Sequence, residues 1–519
     1  MRINHSLKNI FIGVFSQLVI VFLGFLSRKI FLDSLGADYL GINGLLTNVL
    51  SIMALAESGI GISIVYNLYK PLAENDHPKV IALIQLYKKA YGILALIVLL
   101  ISIIIYPFLD LLMKDESYIP NLTIIYFLFV IKNMISYLNA HKWSLINADQ
   151  RGYLIARMNL IFQIATMVIR IFILIKTGNY ILYLGIELLF YLLQNIVNGR
   201  IVNKSYPYIK TKEKYKIDQE TRNNMVKNVK AMFLHNIGGY LVFGTDNILI
   251  SSFISVAAVG LYSNYTMITQ QLSALVNPIL GGIGASVGNL IATENNEKNY
   301  SIFKVSFLVN FWIYSLCIIF LYNLLEPFIT LWLGKKYLLD NLTFIFILIN
   351  FYLFGMRTPI ATFKNKAGLF VQDKYAPLIE GFINLISSLL LVKFLGLVGI
   401  FIGTTISTLS TVFWIQPIIV YKNVFKKSVV GYFRKYAYFS FLTLIICLIV
   451  SRVCNIIVEG NGFSSLIIKG IVCLVIPNLI YLTLFYRNEE FKYLKSVIIN
   501  VFMGLKGKIK VRVKSKVPM

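Results

Sequence analysis

The chain has 519 residues, of which 57% are apolar and only 14% are charged, and its formal net charge is +26. Soluble chains carry about 25% charged residues, so water is not the main solvent for this one. The composition disfavours a secreted disulfide scaffold, a cytosolic enzyme with a large polar domain and a nucleic-acid-binding module. It indicates a helical membrane protein with little soluble mass, since only helices and closed barrels satisfy their backbone groups in lipid.

Fourteen apolar segments follow one another along the chain, and nearly all reach the roughly 20 residues that a membrane-spanning helix needs. They cover residues 6–28, 40–66, 88–109, 120–143, 157–176, 180–202, 229–253, 260–292, 302–325, 342–363, 376–393, 397–420, 433–455 and 465–487. The sequence therefore predicts an all-α polytopic membrane protein with about 14 transmembrane helices.

The lysines and arginines are distributed very unevenly between alternate connections. The termini and the connections on their side carry 37 of them, whereas the opposite connections carry nine. By the positive-inside rule this asymmetry places both termini in the cytoplasm. We expect a multi-pass membrane protein in this orientation.

Two segments on the predicted cytoplasmic side hold much of the positive charge: the loop Lys204–Lys230 and the tail that contains residues 507–516. Such segments determine topology and contact anionic membrane lipids. No nucleic-acid recognition module accompanies them, so we expect no nucleic-acid partner.

Residue types that carry chemistry are scattered. The four cysteines lie in apolar segments without the spacing of metal ligands, and the four histidines lie in separate parts of the chain. The glycines between positions 281 and 288 lack the Lys-Ser/Thr of a phosphate-binding loop. The sequence predicts no enzyme, no catalytic residue, no metal and no cofactor.

A short apolar-Gly-apolar step opens four of the predicted spans, at Gly41, Gly185, Gly260 and Gly399. Gly41 and Gly260 open spans 2 and 8, whereas Gly185 and Gly399 open spans 6 and 12, and the two pairs have nearly the same separation along the chain. Chance is the alternative, because glycine is frequent in this chain. Repeated halves are common in membrane transporters, and the pattern favours two six-helix halves with one orientation.

The predicted organisation has five parts. Residues 1–202 form an N-terminal six-helix lobe, 203–228 a basic cytoplasmic linker and 229–420 a C-terminal six-helix lobe. Residues 421–487 add two transmembrane helices, and 488–519 form a basic cytoplasmic tail. Two pseudo-symmetric lobes that open alternately to each side are typical of a secondary transporter or flippase.

Two stretches carry a resemblance to a known family: LGFLSRKIFLDSLGADYLGINGL at 23–45 and ALAESGIGISIVYNLYKPLAEND at 54–76. They resemble the Wzx-type oligosaccharide flippases of the polysaccharide-transport family, within the multidrug/oligosaccharidyl-lipid/polysaccharide exporter superfamily. The layout of 12 plus 2 spans is also similar to that of the peptidoglycan lipid-precursor flippases.

The resemblance implies a flippase of the bacterial cytoplasmic membrane that moves undecaprenyl-diphosphate-linked oligosaccharide repeat units to the outer leaflet by alternating access. The product would feed capsule, exopolysaccharide or O-antigen synthesis, with a polysaccharide polymerase and glycosyltransferases as pathway partners. Such a substrate needs a hydrated cleft, because sugars and diphosphate cannot cross hydrocarbon. Cationic side chains should meet the diphosphate.

Charged residues inside the predicted spans are the candidate site residues, since each costs about 2.5–3.5 kcal/mol at mid-membrane. They either line a cavity or pair with one another between helices. The cationic candidates for the substrate path are Arg28, Lys29, Lys132, Arg170 and Arg357. The carboxylates expected to act in gating or coupling are Glu57, Glu187, Asp246 and Glu380. We expect Lys132 and Arg170 to form an internal cationic site. Arg28 should act at an outer gate or contact the diphosphate, and pair with Asp246 when the outside is closed.

Two other functions remain open. A proton- or sodium-coupled multidrug exporter of the same superfamily would account for the buried carboxylates but not for spans 13 and 14. A membrane glycan polymerase or ligase would need a large outward loop with catalytic residues, and the longest predicted outward loop, at about 326–341, is short.

Overall fold

The structure is a computed structural model that describes residues 2–113, 119–149, 151, 153–219, 223, 236–369, 372–458, 460 and 462–496. Inside helices, the side chains of residues 2–18, 52–64, 66, 153, 277–286, 288–290 and 292–293 are not described. Residues 497–519 of the basic tail and most of the second half of the linker therefore lie outside the described residues.

The described chain is helical. The helices are α1 (Arg2–Ala73), α2 (His77–Ile105), α3 (Leu122–Tyr137), α4 (Ala140–Ala148), α5 (Tyr153–Thr177), α6 (Tyr180–Ser205), α7 (Asp246–Phe253), α8 (Val256–Thr293), α9 (Asn296–Trp332), α10 (Asn341–Lys366), α11 (Ala376–Leu395), α12 (Leu397–Ser410), α13 (Val412–Val420), α14 (Val430–Ile457) and α15 (Phe463–Phe485). Residues 236–243 are also helical.

Nine helices of the described part are long and apolar enough to cross a membrane, or ten if α3 and α4, which are bent by 45°, form one span. This confirms an all-helical, multi-pass membrane protein. The predicted outward loop at about 326–341 is shorter than expected, because α9 continues through Pro327 to Trp332.

The long α1 contains the first two predicted spans. Its backbone is broken at Gly36, where φ is +84°. Residues with a Cβ rarely adopt this left-handed region, so glycine permits the sharp change of direction there. The break falls between predicted spans 6–28 and 40–66.

The chain divides into two compact units, which are residues 1–266 with 375–407, and residues 267–374 with 408–519. In the first unit, α1 packs against α2, α4, α5 and α7, and α6 packs against α3 and α5. In the second unit, α9 packs against α10, α14 and α15. The two helices predicted as an addition to the lobes, α14 and α15, thus share an aromatic core with α9, in which Phe311 stacks on Phe439 with centroids 4.0 Å apart.

The first predicted glycine pair lies at one close helix crossing in the first unit. A Cβ added to Gly41 would stand 1.9 Å from the carbonyl oxygen of Val256, and one added to Gly260 would stand 2.3 Å from that of Ala37. The offset in sequence that relates Gly41 to Gly260 also relates Ala37 to Val256. The crossing is therefore reciprocal, as a local two-fold relation between the two segments would make it.

Two polar contacts beside this crossing are related by the same offset in sequence. Arg28 Nη1 donates to Ser263 Oγ at 2.8 Å, and Asn247 Nδ2 donates to the carbonyl oxygen of Gly44 at 3.4 Å. The offset maps Arg28 onto Asn247 and Gly44 onto Ser263.

The second glycine pair behaves differently. A Cβ at Gly185 would meet nothing within 4 Å, whereas one at Gly399 would stand 2.4 Å from the carbonyl oxygen of Leu391. Only the first pair thus marks a reciprocal contact.

Candidate functional site

A polar cavity of about 260 Å³ lies in the first unit among four helices. Asn43 and Thr47 reach it from α1, Lys132 from α3, Arg170 from α5 and Glu187 from α6. Leu128, Phe129, Leu184 and Leu188 complete its lining. The cavity therefore combines two cations, one carboxylate, an amide and a hydroxyl within an apolar helical frame.

The three charged side chains of the cavity form one connected group, which we call the charge triad. Lys132 Nζ donates to Glu187 Oε1, and Arg170 Nη2 lies 3.0 Å from Glu187 Oε2. Each carboxylate oxygen thus serves a different cation. The triad carries one net positive charge, and its members come from three different helices.

The triad is accessible to different degrees. The Lys132 side chain is 40% exposed, whereas those of Arg170 and Glu187 are both 18% exposed. The two cations offset the cost of desolvating this carboxylate, and removing either cation would leave part of its charge uncompensated. Lys132 is the member that an incoming anion meets most easily.

Arg170 is also held by an aromatic ring. Its guanidinium carbon lies 3.8 Å from the ring centroid of Tyr183, one turn before Glu187 on α6. A guanidinium over a ring face gains a cation–π attraction. This contact orients Arg170, whose buried Nε has no hydrogen-bond partner among the described residues.

Buried aromatic rings border the triad on the side nearer the start of α6. Tyr180 and Tyr183 stack with centroids 6.0 Å apart, and Phe31 packs edge-on against both, at 5.8 and 5.3 Å. Tyr39 packs against Tyr180 at 5.0 Å. We call these four rings the aromatic cap.

The structure brings together three of the nine predicted site residues in this cavity: Lys132, Arg170 and Glu187. The sequence left pairing and cavity lining as alternatives, and these three residues do both. Thr47 and Tyr183 were missed. Tyr183 precedes Glu187 by one helical turn on the same face, and this spacing is the signal that could have pointed to it.

The remaining predicted residues of the first unit lie elsewhere. Arg28 is half-buried and bonds to Ser263, Lys29 is exposed, and Glu380 on α11 is buried. Asp246 begins α7, is 8% exposed, and its Oδ1 has no hydrogen-bond partner among the described residues. Arg28 and Asp246 form no ion pair in this structure.

Two of the nine predicted site residues remain. Arg357 belongs to the second unit, where its guanidinium carbon lies 5.2 Å from the ring centroid of Phe354. The side chain of Glu57 lies outside the described residues. No cluster of three or more potential metal-ligating side chains occurs in the described part of the chain.

The relation of the chain to known proteins begins with its sequence. A profile of the family described as "Polysaccharide biosynthesis protein" matches residues 6–283, which is more than half of the chain. The chain belongs to this family. A search of curated proteins by sequence gave no match.

Three solved structures that are similar to this chain show its fold. The structure titled "Lipid II flippase MurJ, inward closed conformation" matches with a TM-score of 0.65 at 15% identity, over 92% of this chain and 98% of that one. A mutant of the Vibrio cholerae MATE transporter VcmN matches with a TM-score of 0.56 at 15% identity, over 81% of this chain and 98% of that one. An inward-facing multidrug resistance MATE transporter of the MOP superfamily matches with a TM-score of 0.53 at 15% identity, over 78% of this chain and 98% of that one.

These likenesses show the fold of the multidrug/oligosaccharidyl-lipid/polysaccharide superfamily. They confirm the resemblance to polysaccharide-transport proteins inferred from residues 23–45 and 54–76. The polysaccharide biosynthesis protein described here is thus a multi-pass membrane protein with the fold of the MurJ and MATE structures.

Proposed function

We propose that this protein is a flippase that moves undecaprenyl-diphosphate-linked oligosaccharide repeat units across the bacterial cytoplasmic membrane by alternating access. The units would serve the synthesis of a capsule, an exopolysaccharide or an O-antigen. The observation that carries the proposal is the charge triad, which offers two cations from α3 and α5 to a polar cavity inside a membrane protein.

The triad suits a diphosphate better than a cation. A diphosphate diester brings two negative charges, and charge-assisted hydrogen bonds from an ammonium and a guanidinium are the strong interactions for phosphate oxygens. Glu187 neutralises part of this positive charge while the cavity is empty. We infer that the diphosphate displaces Glu187 from Lys132 and Arg170, and that Glu187 pairs with both cations again when the lipid leaves.

Asn43 and Thr47 support recognition of the sugars next to the diphosphate. An amide and a hydroxyl in the same cavity can exchange hydrogen bonds with sugar hydroxyls. The undecaprenyl tail stays in lipid, so only the polar head needs this environment.

The topology that we propose has fourteen spans with both termini in the cytoplasm. The two halves of α1, the segment 236–253 and α8 are added to the ten candidate spans for this count. The reciprocal crossing at Gly41 and Gly260 supports two related six-helix lobes, and the 37 to nine division of basic residues supports the orientation.

A cation-coupled multidrug exporter is the second candidate. The buried carboxylates Asp246 and Glu380 favour it, because intramembrane acids often couple transport to ions. The fold comparison favours the flippase, since the MurJ structure matches 92% of this chain and the two MATE structures match 81% and 78%.

Substitution of the cavity cations tests the proposal in cells. We expect Lys132→Ala and Arg170→Ala to lower surface polysaccharide severalfold without changing protein abundance, and Arg28→Ala to lower it as well. Lys176→Ala is the matched control, because Lys176 is an exposed lysine in the last turn of α5, the same helix as Arg170. Normal polymer in both Lys132→Ala and Arg170→Ala would remove the triad from the substrate path.

A further inference from the structure

The turn between α13 and α14, in the second unit, has an unusual conformation. Residues Tyr421–Phe425 form a π-helical turn, and Lys426 then adopts a left-handed conformation with φ of +52°. Such a turn is uncommon for a residue other than glycine, asparagine or aspartate. It places Lys426 directly beside Lys427 at the mouth of a surface cavity.

This cavity, which we call the lysine pocket, has a volume of about 370 Å³. Lys422, Lys426, Lys427 and Ser428 contribute its polar lining. Lys427 Nζ is 2.8 Å from the carboxylate of Glu297, which is 75% exposed. One acidic group therefore faces three lysines among the described residues, and the pocket keeps a net positive charge.

The lysine pocket adjoins an exposed apolar surface. Ile418 lines the pocket and is 46% exposed, and Trp414, one turn earlier on α13, is 48% exposed. Val430 at the start of α14 is 66% exposed. Tryptophan is enriched where a membrane helix meets the headgroups. Basic and apolar surfaces thus adjoin, as the headgroup and the acyl chains of a phospholipid do.

We propose that the lysine pocket binds an anionic phospholipid, with its phosphate-bearing headgroup against Lys422 and Lys426 and an acyl chain along Ile418 and Trp414. A zwitterionic lipid brings its own cationic group and gains less from the lysines. A soluble phosphate lacks the chain that covers the apolar wall. The site lies in a different unit from the charge triad and does not depend on the transported substrate.

The test uses the full-length protein purified in a neutral detergent, with phosphatidylglycerol titrated in and bound lipid counted by native mass spectrometry. We expect tight binding of phosphatidylglycerol and weak binding of phosphatidylcholine. The double variant K422Q/K426Q should bind phosphatidylglycerol about thirtyfold more weakly, since each lysine near an anionic headgroup contributes about a factor of five. K422R/K426R should keep the wild-type affinity.

The matched control is K214Q/K216Q, which removes two charges from the exposed segment 211–218 of the first unit. Equal losses in the control and in K422Q/K426Q would mean diffuse attraction and would overturn the proposal, as would full affinity in K422Q/K426Q. Inorganic phosphate at the same concentration should not compete with phosphatidylglycerol. Complete competition would make this a phosphate site and not a lipid site. Unchanged gel-filtration profiles of the variants exclude unfolding as the cause.

Discussion

Glu187 is the residue on which the proposed exchange depends. Its two carboxylate oxygens contact Lys132 and Arg170 separately, so it holds in place the cations that a diphosphate would use. A fixed carboxylate in an anion site weakens binding of the anion. It also prevents the site from holding its ligand too tightly for release.

Replacing Glu187 with glutamine should therefore separate binding from transport. The competing ion pair is worth roughly 1 kcal/mol at this exposure, so E187Q should bind an undecaprenyl-diphosphate lipid about fivefold more tightly. Surface polysaccharide should fall, because release becomes slower. Affinity is measurable with the purified protein in nanodiscs.

E213Q serves as control, because Glu213 lies in the exposed connection after α6. Its affinity and polymer level should equal those of the wild type. Weaker lipid binding in E187Q than in the wild type would show that Glu187 positions the cations for the lipid and does not compete with it.

Among the elements, α1 and α8 cross closely at the first glycine pair, a contact that the repeat pattern did not predict. The backbones meet at Gly41 and Gly260 because a side chain at either position would collide with a carbonyl group. Small residues at crossings let membrane helices approach closely. The reciprocal arrangement makes both glycines necessary for the same reason.

Alanine substitution should distinguish the two glycine pairs. G41A and G260A should each destabilise the protein by about 1–3 kcal/mol, as overpacking of a close contact does. G185A is the matched control, because a Cβ there meets nothing within 4 Å. Thermal unfolding in detergent measures the difference, and equal melting temperatures of G41A and G185A would contradict the crossing.

The helical segment 489–496 is attached to the second unit through Glu490. Its Oε1 lies 3.0 Å from Lys435 Nζ and 4.0 Å from Lys304 Nζ. Burial opposes ionisation, but a backbone hydrogen bond and the two lysines hold the pKa of Glu490 below its usual value. A lowered pKa in the folded state means that the carboxylate stabilises the fold above its unfolded pKa and loses this effect as the pH falls.

We therefore expect E490Q to unfold at a lower temperature than the wild type at pH 7, by less than about 1 kcal/mol in free energy. The two proteins should converge as the pH falls through the lowered folded pKa of Glu490. E489Q, which alters the exposed neighbour of Glu490, should unfold at the same temperature as the wild type both at pH 7 and in acid. A difference between E490Q and wild type that persists undiminished in acid would exclude the ion pairs as its source.

For the whole molecule, hydropathy and charge predicted the class of fold, because the bilayer imposes helix length and the positive-inside rule. The same reasoning selected Lys132 and Arg170, since intramembrane cations rarely face lipid. It could not assign Glu187 to both of them, because the three residues lie on three helices whose rotation depends on packing. The bend between α3 and α4 contains no proline that would have predicted it. Asn139 at this bend donates a hydrogen bond to Asn195 Oδ1 at 2.5 Å, and nothing in the sequence distinguished this asparagine from others.

The hydrogen-bond partner of Arg28 illustrates the same limit. The offset that relates Gly41 to Gly260 placed the two side chains at one height, and the structure pairs Arg28 with Ser263 on the neighbouring helix. Height along the membrane follows from sequence position, whereas the choice of partner follows from helix rotation. The domain boundaries and the gating roles of the carboxylates stay predictions.

The central claim is that the charge triad carries a diphosphate-linked sugar across the membrane. Its most direct test is reconstitution of the full chain into vesicles that contain undecaprenyl diphosphate bearing a short fluorescent oligosaccharide in the inner leaflet. A membrane-impermeant glycosidase outside then reports arrival of the sugar. The account predicts cleavage that requires the protein and is at least about tenfold slower in K132A/R170A, as loss of two phosphate contacts implies. Equal rates in K132A/R170A and wild type, or no cleavage with the wild type, would contradict it.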